Sequence, residues 1–532
     1  MGRSAGLAAC ALVGLMLAPG AVAAQGRADA PLSAIPWLSE TLDRPEPAPR
    51  AAARPPDPNP GPGAVPGTGQ PPDGARPLPA PSGDITVTQL GAPDRAATGL
   101  MSARRAGLPE DLWQGTDPDK LARLLREMPI HDQPALREAV SRLVLLEAAP
   151  PRGARDALLL ARIDALLIRG ALEPAQALLE RAGPDTPDLF RRWFDILLLS
   201  GTEDRACATL AAKPELSPNY ETRVFCLARG GRWHTAALTL ETATALGRVS
   251  PEMRDRLARF LDPEIFEGEP MPPPPDPLTP LDFRLLEAVG EPVPTSHLPL
   301  AFAQTDLRHI IGWKSQIEAA ERLAKSGALS VNRLLGIYTA RQPAASGGVW
   351  DRVAAIQALD IAITAGQPDT VAARLPAAAD AMRAAGLEAV LAEMFGPRLS
   401  RLDLPPQSAQ AAHALALIAG APTRLPATAL TGRLAFATAL AAGTPPAAAA
   451  PDALASALHA GLRQDTVPDR YAPLVARGQW GEALLRALAT LADGALTDPV
   501  DAGDAIALMR LAGLDDLARQ AAVEILLLDP RS

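Results

Sequence analysis

The chain is 532 residues long, enough for two or three domains of ordinary size, and carries a formal net charge of −9. That charge argues against nucleic acid or an anionic lipid surface as the main partner. Apolar residues make up 48% of the chain but aromatics only 4%, so a core here is built mostly from Ala and Leu, which favours helices.

Basic residues are almost all Arg, with lysine only at positions 120, 213, 314 and 325. Together with the Ala and Pro content, this points to a GC-rich bacterial genome.

Residues 1–24 have the form of a secretory leader. Arg3 supplies the charge, "AGLAACALVGLMLA" (5–18) the apolar stretch, and Ala21-Val22-Ala23 the small-residue cleavage site. "LAAC" (7–10) matches a lipoprotein box, but the apolar run continues well past Cys10, so cleavage after Ala23 or Ala24 is the expectation. No later segment approaches the roughly 20 uninterrupted apolar residues of a membrane span. The mature chain is therefore expected to be soluble and exported to the periplasm, with no integral membrane segment.

Residues 25–83 lack the means to build a core. Between 43 and 83 there are 14 prolines in 41 positions. Such a stretch is expected to be a disordered, semi-extended Pro/Ala-rich tether, reaching roughly 120 Å at about 3.1 Å per residue. Ahead of it lies "APLSAIPWLSETL" (30–42), whose Leu32, Ile35, Trp37, Leu38 and Leu42 recur at helical spacing, although Pro36 weakens a continuous helix. Apolar side chains on a tail need a cover, so residues 32–42 are a candidate docking motif for an apolar groove. The competing reading is an accidental apolar patch.

"DITVTQL" (84–90) alternates like a single short strand. Helical periodicity then begins with Leu121, Leu124 and Leu125, followed by Leu136, Val140, Leu143 and Val144. From residue 155 a repeat emerges, a glycine followed five residues later by alanine. It occurs at Gly170–Ala175, Gly201–Ala206, Gly231–Ala236, Gly478–Ala483 and Gly513–Ala518. Positions 12 and 9 before each alanine are apolar: Ile163/Leu166, Phe194/Leu197, Val224/Leu227, Tyr471/Leu474 and Ile506/Met509. Proline follows 12 residues after three of the alanines, at 187, 218 and 530.

This pattern predicts a helical hairpin per repeat. The glycine caps the first helix, the alanine packs the second helix against it, and the proline stops the second. The chain here resembles the tetratricopeptide repeat family. "LVARGQWGEALLRAL" (474–488) is the closest stretch, with Gly478, Trp480 and Ala483 at that family's Gly, aromatic and Ala positions. It departs from the family at the position 12 before the alanine, small there and bulky here. The resemblance implies an all-α fold, an α-solenoid of stacked hairpins. We place a helical-repeat domain at 84–265, a Pro-rich crossing segment at 266–300 and a second helical-repeat domain at 301–532.

Without the leader two cysteines remain, Cys207 and Cys226. An even count in an oxidising compartment points to one structural disulfide, with free buried thiols as the alternative.

Signatures of catalysis are missing: there is no GxSxG, HExxH, Walker loop or GxGxxG. Six scattered histidines show no metal-ligand spacing, so neither metal nor cofactor is expected. "AASGGVWDR" (344–352) is a possible ligand site, where Ser346, Gly347 and Gly348 precede a helix beside Trp350 and Arg352. The competing reading is a helix cap, a glycine corner and a packed Trp350. Trp193, Trp233, Trp313 and Trp480 lie at or beside expected helix ends and read as core aromatics. The expectation overall is a non-enzymatic scaffold for protein or peptide partners in the bacterial cell envelope. The alternative is a cell-wall glycan-binding protein or an accessory of peptidoglycan enzymes.

Overall fold

Helix α1 (Ala103–Ala106) follows a two-residue strand, β1 (Met101–Ser102), which pairs in parallel with β2 (Leu146–Glu147). These come from a computed structural model that describes residues 95–528, except 154–155, 218 and 447–448. The leader at 1–24, the apolar segment 32–42, the proline-rich stretch 43–83 and the strand expected at 84–90 lie outside the described residues. Those that are described belong to one compact unit and are mostly helical, so the all-α expectation holds. No helix among them is long and apolar enough to cross a membrane.

Helices α2 (Pro118–Arg126) and α3 (Pro134–Leu145) begin on proline, whose missing N–H costs nothing at a helix start. Their periodic leucines and valines face inward, with Leu121, Leu125, Leu136 and Leu143 fully buried.

The repeat pattern then unfolds as α4 (Ala157–Ile168), α5 (Leu172–Ala182), α6 (Pro187–Ser200), α7 (Asp204–Ala212), α8 (Tyr220–Arg229), α9 (Trp233–Ala245) and α10 (Pro251–Leu261). Each helix packs on the next. Gly170, Gly201 and Gly231 sit between paired helices with φ of 74°, 72° and 73°, a backbone that β-carbon-bearing residues rarely adopt. Ala175, Ala206 and Ala236 are fully buried. One detail differs from expectation: Pro187 does not stop α5, which ends five residues earlier, but opens α6. The fixed φ of proline suits the first turn of a helix better than its last.

The proline-rich segment after α10 contains a helix that the prolines hide, α11 (Pro280–Ala288). Thr279 and Asp282 cap it reciprocally: the Asp282 N–H donates to Thr279 Oγ1 at 3.1 Å, and the Thr279 N–H donates to Asp282 Oδ2 at 3.3 Å. Helix α11 packs on α6 and α10, and the 3-10 turns at Leu300–Leu307 pack on α4 and α6. The crossing segment thus runs back over the first helices of the preceding hairpins.

A second helical series follows: α12 (Trp313–Lys325), α13 (Val331–Thr339), α14 (Val349–Thr364), α15 (Pro368–Ala384), α16 (Glu388–Leu399) and α17 (Pro406–Ile418). The last part comprises α18 (Gly432–Ala441), α19 (Ala453–Arg463), α20 (Ala472–Val475), α21 (Trp480–Thr490), α22 (Pro499–Leu511) and α23 (Asp515–Leu527). Gly478 and Gly513 again sit at positive φ, and Ala483 and Ala518 are again fully buried. Small residues let α19 and α22 approach closely, since a β-carbon on Gly461 would stand 2.2 Å from the Gly503 carbonyl oxygen.

Contacts far apart in sequence converge on α2–α4. Helix α23 packs on α3 and α21 on α2. The Ala135 N–H, at the open N-terminal turn of α3, donates to Glu524 Oε2 at 2.9 Å. Gln520 bridges outward, donating to the Leu417 and Ile418 carbonyls and to Glu524. The His131 ring lies 2.9 Å from the Leu488 carbonyl, and burial lowers its pKa, keeping it neutral with Nε2–H donating. Further along α3, Arg137 donates to the Lys325 carbonyl and to Glu393. The far end of α3 is held by Arg162, which donates to the Val144, Leu146 and Thr98 carbonyls at 2.6–2.7 Å. Burial brings that guanidinium down to about 10, well above neutral pH, so it stays charged.

Burial pushes the Glu524 carboxyl up to about 8. The folded chain therefore keeps a proton that the unfolded chain releases above about 4.5, and this group costs stability progressively from pH 4.5 to 8. Glu524→Gln keeps an acceptor for Ala135 and removes that cost. In urea titrations the variant should match the wild type below pH 4.5. By pH 8 it should be more stable by up to about 4 kcal/mol.

Candidate functional site

The residues singled out in the sequence are placed in three different ways. Leu32, Ile35, Trp37, Leu38 and Leu42 lie outside the described residues. Cys207 and Cys226 are bonded, S–S 2.01 Å, joining α7 to α8 across the turn between two hairpins.

The 346–352 group is split by the fold. Gly347 and Gly348 make a corner at φ 93° and 54° ahead of α14. The Gly347 N–H donates to Asp351 Oδ1 at 2.9 Å, so the chain supplies its own carboxylate there. Arg352 turns inward and makes a bidentate pair with Glu321 at 2.6 and 2.7 Å, and the Tyr338 hydroxyl donates to the same carboxylate. Trp350 packs on Trp313 with ring centroids 5.2 Å apart. Ser346 is exposed. These five residues therefore do not converge on a common cleft.

A different constellation emerges along the hairpins. Seven of the nine phenylalanines lie between residues 190 and 302, so the aromatic packing is concentrated in one part of the chain. Phe190 and Phe194, one turn apart on α6, stack at 6.4 Å. Phe194 meets Phe225 of α8 edge-on, and Phe225 stacks on Phe260 of α10 at 5.6 Å. This ladder fixes α6, α8 and α10 relative to one another. Trp233 continues it at the start of α9. Trp193, by contrast, lies inside α6 and donates its ring N–H to Glu180. Trp313 and Trp480 open α12 and α21.

A cavity of about 420 Å³ opens beside this ladder. Asp188, Arg191, Phe194 and Asp195 of α6 form one wall, Asn219, Glu221 and Thr222 a second, and Met253 with Thr279–Leu281 a third. The third wall is held in place by ion pairs between the crossing segment and the hairpins. Arg256 pairs with Asp282 at 2.9 Å, both nearly buried, and Arg284 pairs with the buried Glu203 at 3.2 Å. Truncating one member of such a pair strands the other, at a cost of about 3–5 kcal/mol.

Asp195 is one of three carboxyl groups on the lining of this cavity, with Asp188 and Glu221. Among the described residues nothing hydrogen-bonds or ion-pairs with it. Its neighbour Arg192 is committed to Asp164 at 2.9 Å. Burial pushes the Asp195 carboxyl up to about 7, against the pull of Arg191 and Arg192. No sequence signal marks this residue, because a carboxylate one position from a buried phenylalanine reads as an ordinary solvated helix face.

Two neighbouring cavities lie at the junction of α3 with the turn after α12, one of about 310 Å³ and the other of about 460 Å³. Their central cations are engaged. Arg137 is bound to Glu393 and the Lys325 carbonyl, and Arg169 donates to the Ala165, Met128 and Pro129 carbonyls. No group of three or more His, Cys, Asp or Glu side chains among the described residues is arranged to hold a metal ion. No protein family, curated protein or solved structure matches the chain.

Asp195 carries a stability cost of the same sign as Glu524. It holds a proton in the folded state that the unfolded chain has released above about 3.8. Asp195→Asn should therefore raise thermal and urea stability at pH 8 by roughly 2–4 kcal/mol, with the gain vanishing at low pH. Paired melts at pH 4 and pH 8 check this.

Proposed function

We propose that this protein is an exported, non-enzymatic helical-repeat scaffold, an α-solenoid of tetratricopeptide-like hairpins, that binds a protein partner in the bacterial cell envelope. Export rests on the leader-like residues 1–24 and agrees with the Cys207–Cys226 bond, since disulfides persist in oxidising compartments. The observation that carries the binding role is the cleft beside α6. An aromatic ladder fixes its walls, and it presents a carboxyl with no hydrogen-bond or ion-pair partner among the described residues. Helical repeats serve binding through surfaces of this kind, where side chains from successive hairpins share one concavity.

The crossing segment bears on this reading. By lying along α6 and α10 it covers part of the face that the hairpins would otherwise offer, and the opening is lined by residues from 187–222, Met253 and 279–281. The possible ligand site at 346–352 does not contribute to this reading, since Gly347 and Arg352 are engaged within the chain. In this reading residues 32–42 are a second contact device, carried on the tether.

Pull-down from envelope extracts with the mature chain, with and without residues 24–42, tests the proposal. A protein partner should be recovered, and Trp37→Ala should weaken the share of binding that the tail provides. Binding to cell-wall glycan pellets that survives the deletion, with no protein recovered, would overturn the scaffold reading.

A further inference from the structure

Building on the scaffold reading, we infer that the cleft beside α6 selects a partner segment that sets a Lys or Arg side chain against Asp195, flanked by apolar residues. Charge is the first reason. The cleft is lined by three carboxyl groups, Asp188, Asp195 and Glu221, against one guanidinium, Arg191. Two further cations lie nearby and both are engaged, Arg192 by Asp164 and Arg223 by the Ser217 and Pro214 carbonyls.

The second reason is the unmet chemistry of Asp195. Its half-buried carboxyl lines the cavity with no donor on it among the described residues, and desolvation already penalises its ionised form. An incoming ammonium or guanidinium supplies the missing donor as a charge-assisted hydrogen bond, stronger than a neutral one. An incoming carboxylate would add a like charge to a site that is already short of cations.

The third reason is shape. Phe194, Met253, Pro280 and Leu281 give the cleft apolar walls, which suit the methylene stem of a long basic residue and its apolar neighbours. At about 420 Å³ it has room for side chains of that size.

The same reasoning excludes one occupant from within the chain. The segment "APLSAIPWLSETL" carries a single charge, the negative Glu40. Within residues 30–42 it brings nothing to pair with Asp195.

Selection from a random twelve-residue peptide display library on the mature chain, run alongside Asp195→Asn and Asp195→Lys, tests this. Melting curves should first establish that both variants are folded. Enriched peptides should share a Lys or Arg between apolar residues and bind Asp195→Asn at least tenfold more weakly. Asp195→Lys should enrich acidic peptides instead. Peptides without a basic position, or binding unchanged in Asp195→Asn, would overturn the inference. If those peptides are displaced by filling the cleft with Asn219→Trp, the scaffold reading stands while the charge selection falls. If no peptide is enriched, the inference fails, and the pull-down alone decides the scaffold reading.

Discussion

A backbone amide at the start of α3 and a carboxyl 389 residues further along the chain hold each other out of water. The Ala135 N–H is one of the donors that a helix start leaves open, and Glu524 satisfies it from the last helix. The other attachments of α3 follow the same logic. Arg137 bonds the last residue of α12 and the Glu393 side chain of α16, and Arg162 collects the carbonyls at the helix's far end. One twelve-residue helix thus fixes the positions of the middle and last parts of the chain. In a simple repeat array each unit depends on its neighbours alone. Here long-range contacts are added to that nearest-neighbour packing, and they include buried polar bonds at Ala135, His131 and Arg162. Such bonds are costly to leave half-made, so they specify one arrangement rather than several.

The cleft beside α6 inherits its geometry from this arrangement. The crossing segment lies on α6 and α10 and with Met253 forms one wall of the cleft, and its attachment runs through Arg256–Asp282 and Arg284–Glu203. Two of the walls come from consecutive hairpins, bridged by the disulfide between α7 and α8. The surface is therefore preorganised, which lowers the ordering cost of binding. The cost sits instead in the chain's own stability, in the Asp195 carboxyl held partly out of water with no donor among the described residues.

How much of this was legible depended on how local each signal was. The glycine–alanine spacing was readable because the positive φ at Gly170, Gly201 and Gly231 and the close packing at Ala175, Ala206 and Ala236 are set within one hairpin. Helix α11 was hidden, since proline density argues for extended chain while Pro280 in fact occupies the one helical position proline prefers. The bonds of Ala135 to Glu524 and of Arg137 to Glu393 join residues that periodicity cannot pair. Nothing in "EAVSRLVLL" or "AAVEILLL" shows that these segments meet. At 344–352 the residue types fitted a ligand loop, but Glu321 and Asp351 already hold the groups a ligand would need. Asp195 was invisible for the opposite reason, since only the fold reveals that no neighbour among the described residues pairs with it.

Site-specific photocrosslinking in the native envelope tests the central claim most directly. A photoreactive residue at the exposed Asn219, on the rim of the cleft, is compared with one at the exposed Ile361 on α14. The scaffold reading predicts a discrete protein adduct from position 219 and none from position 361. Adducts from 361 alone, or from neither position in cells producing the folded protein, would contradict it.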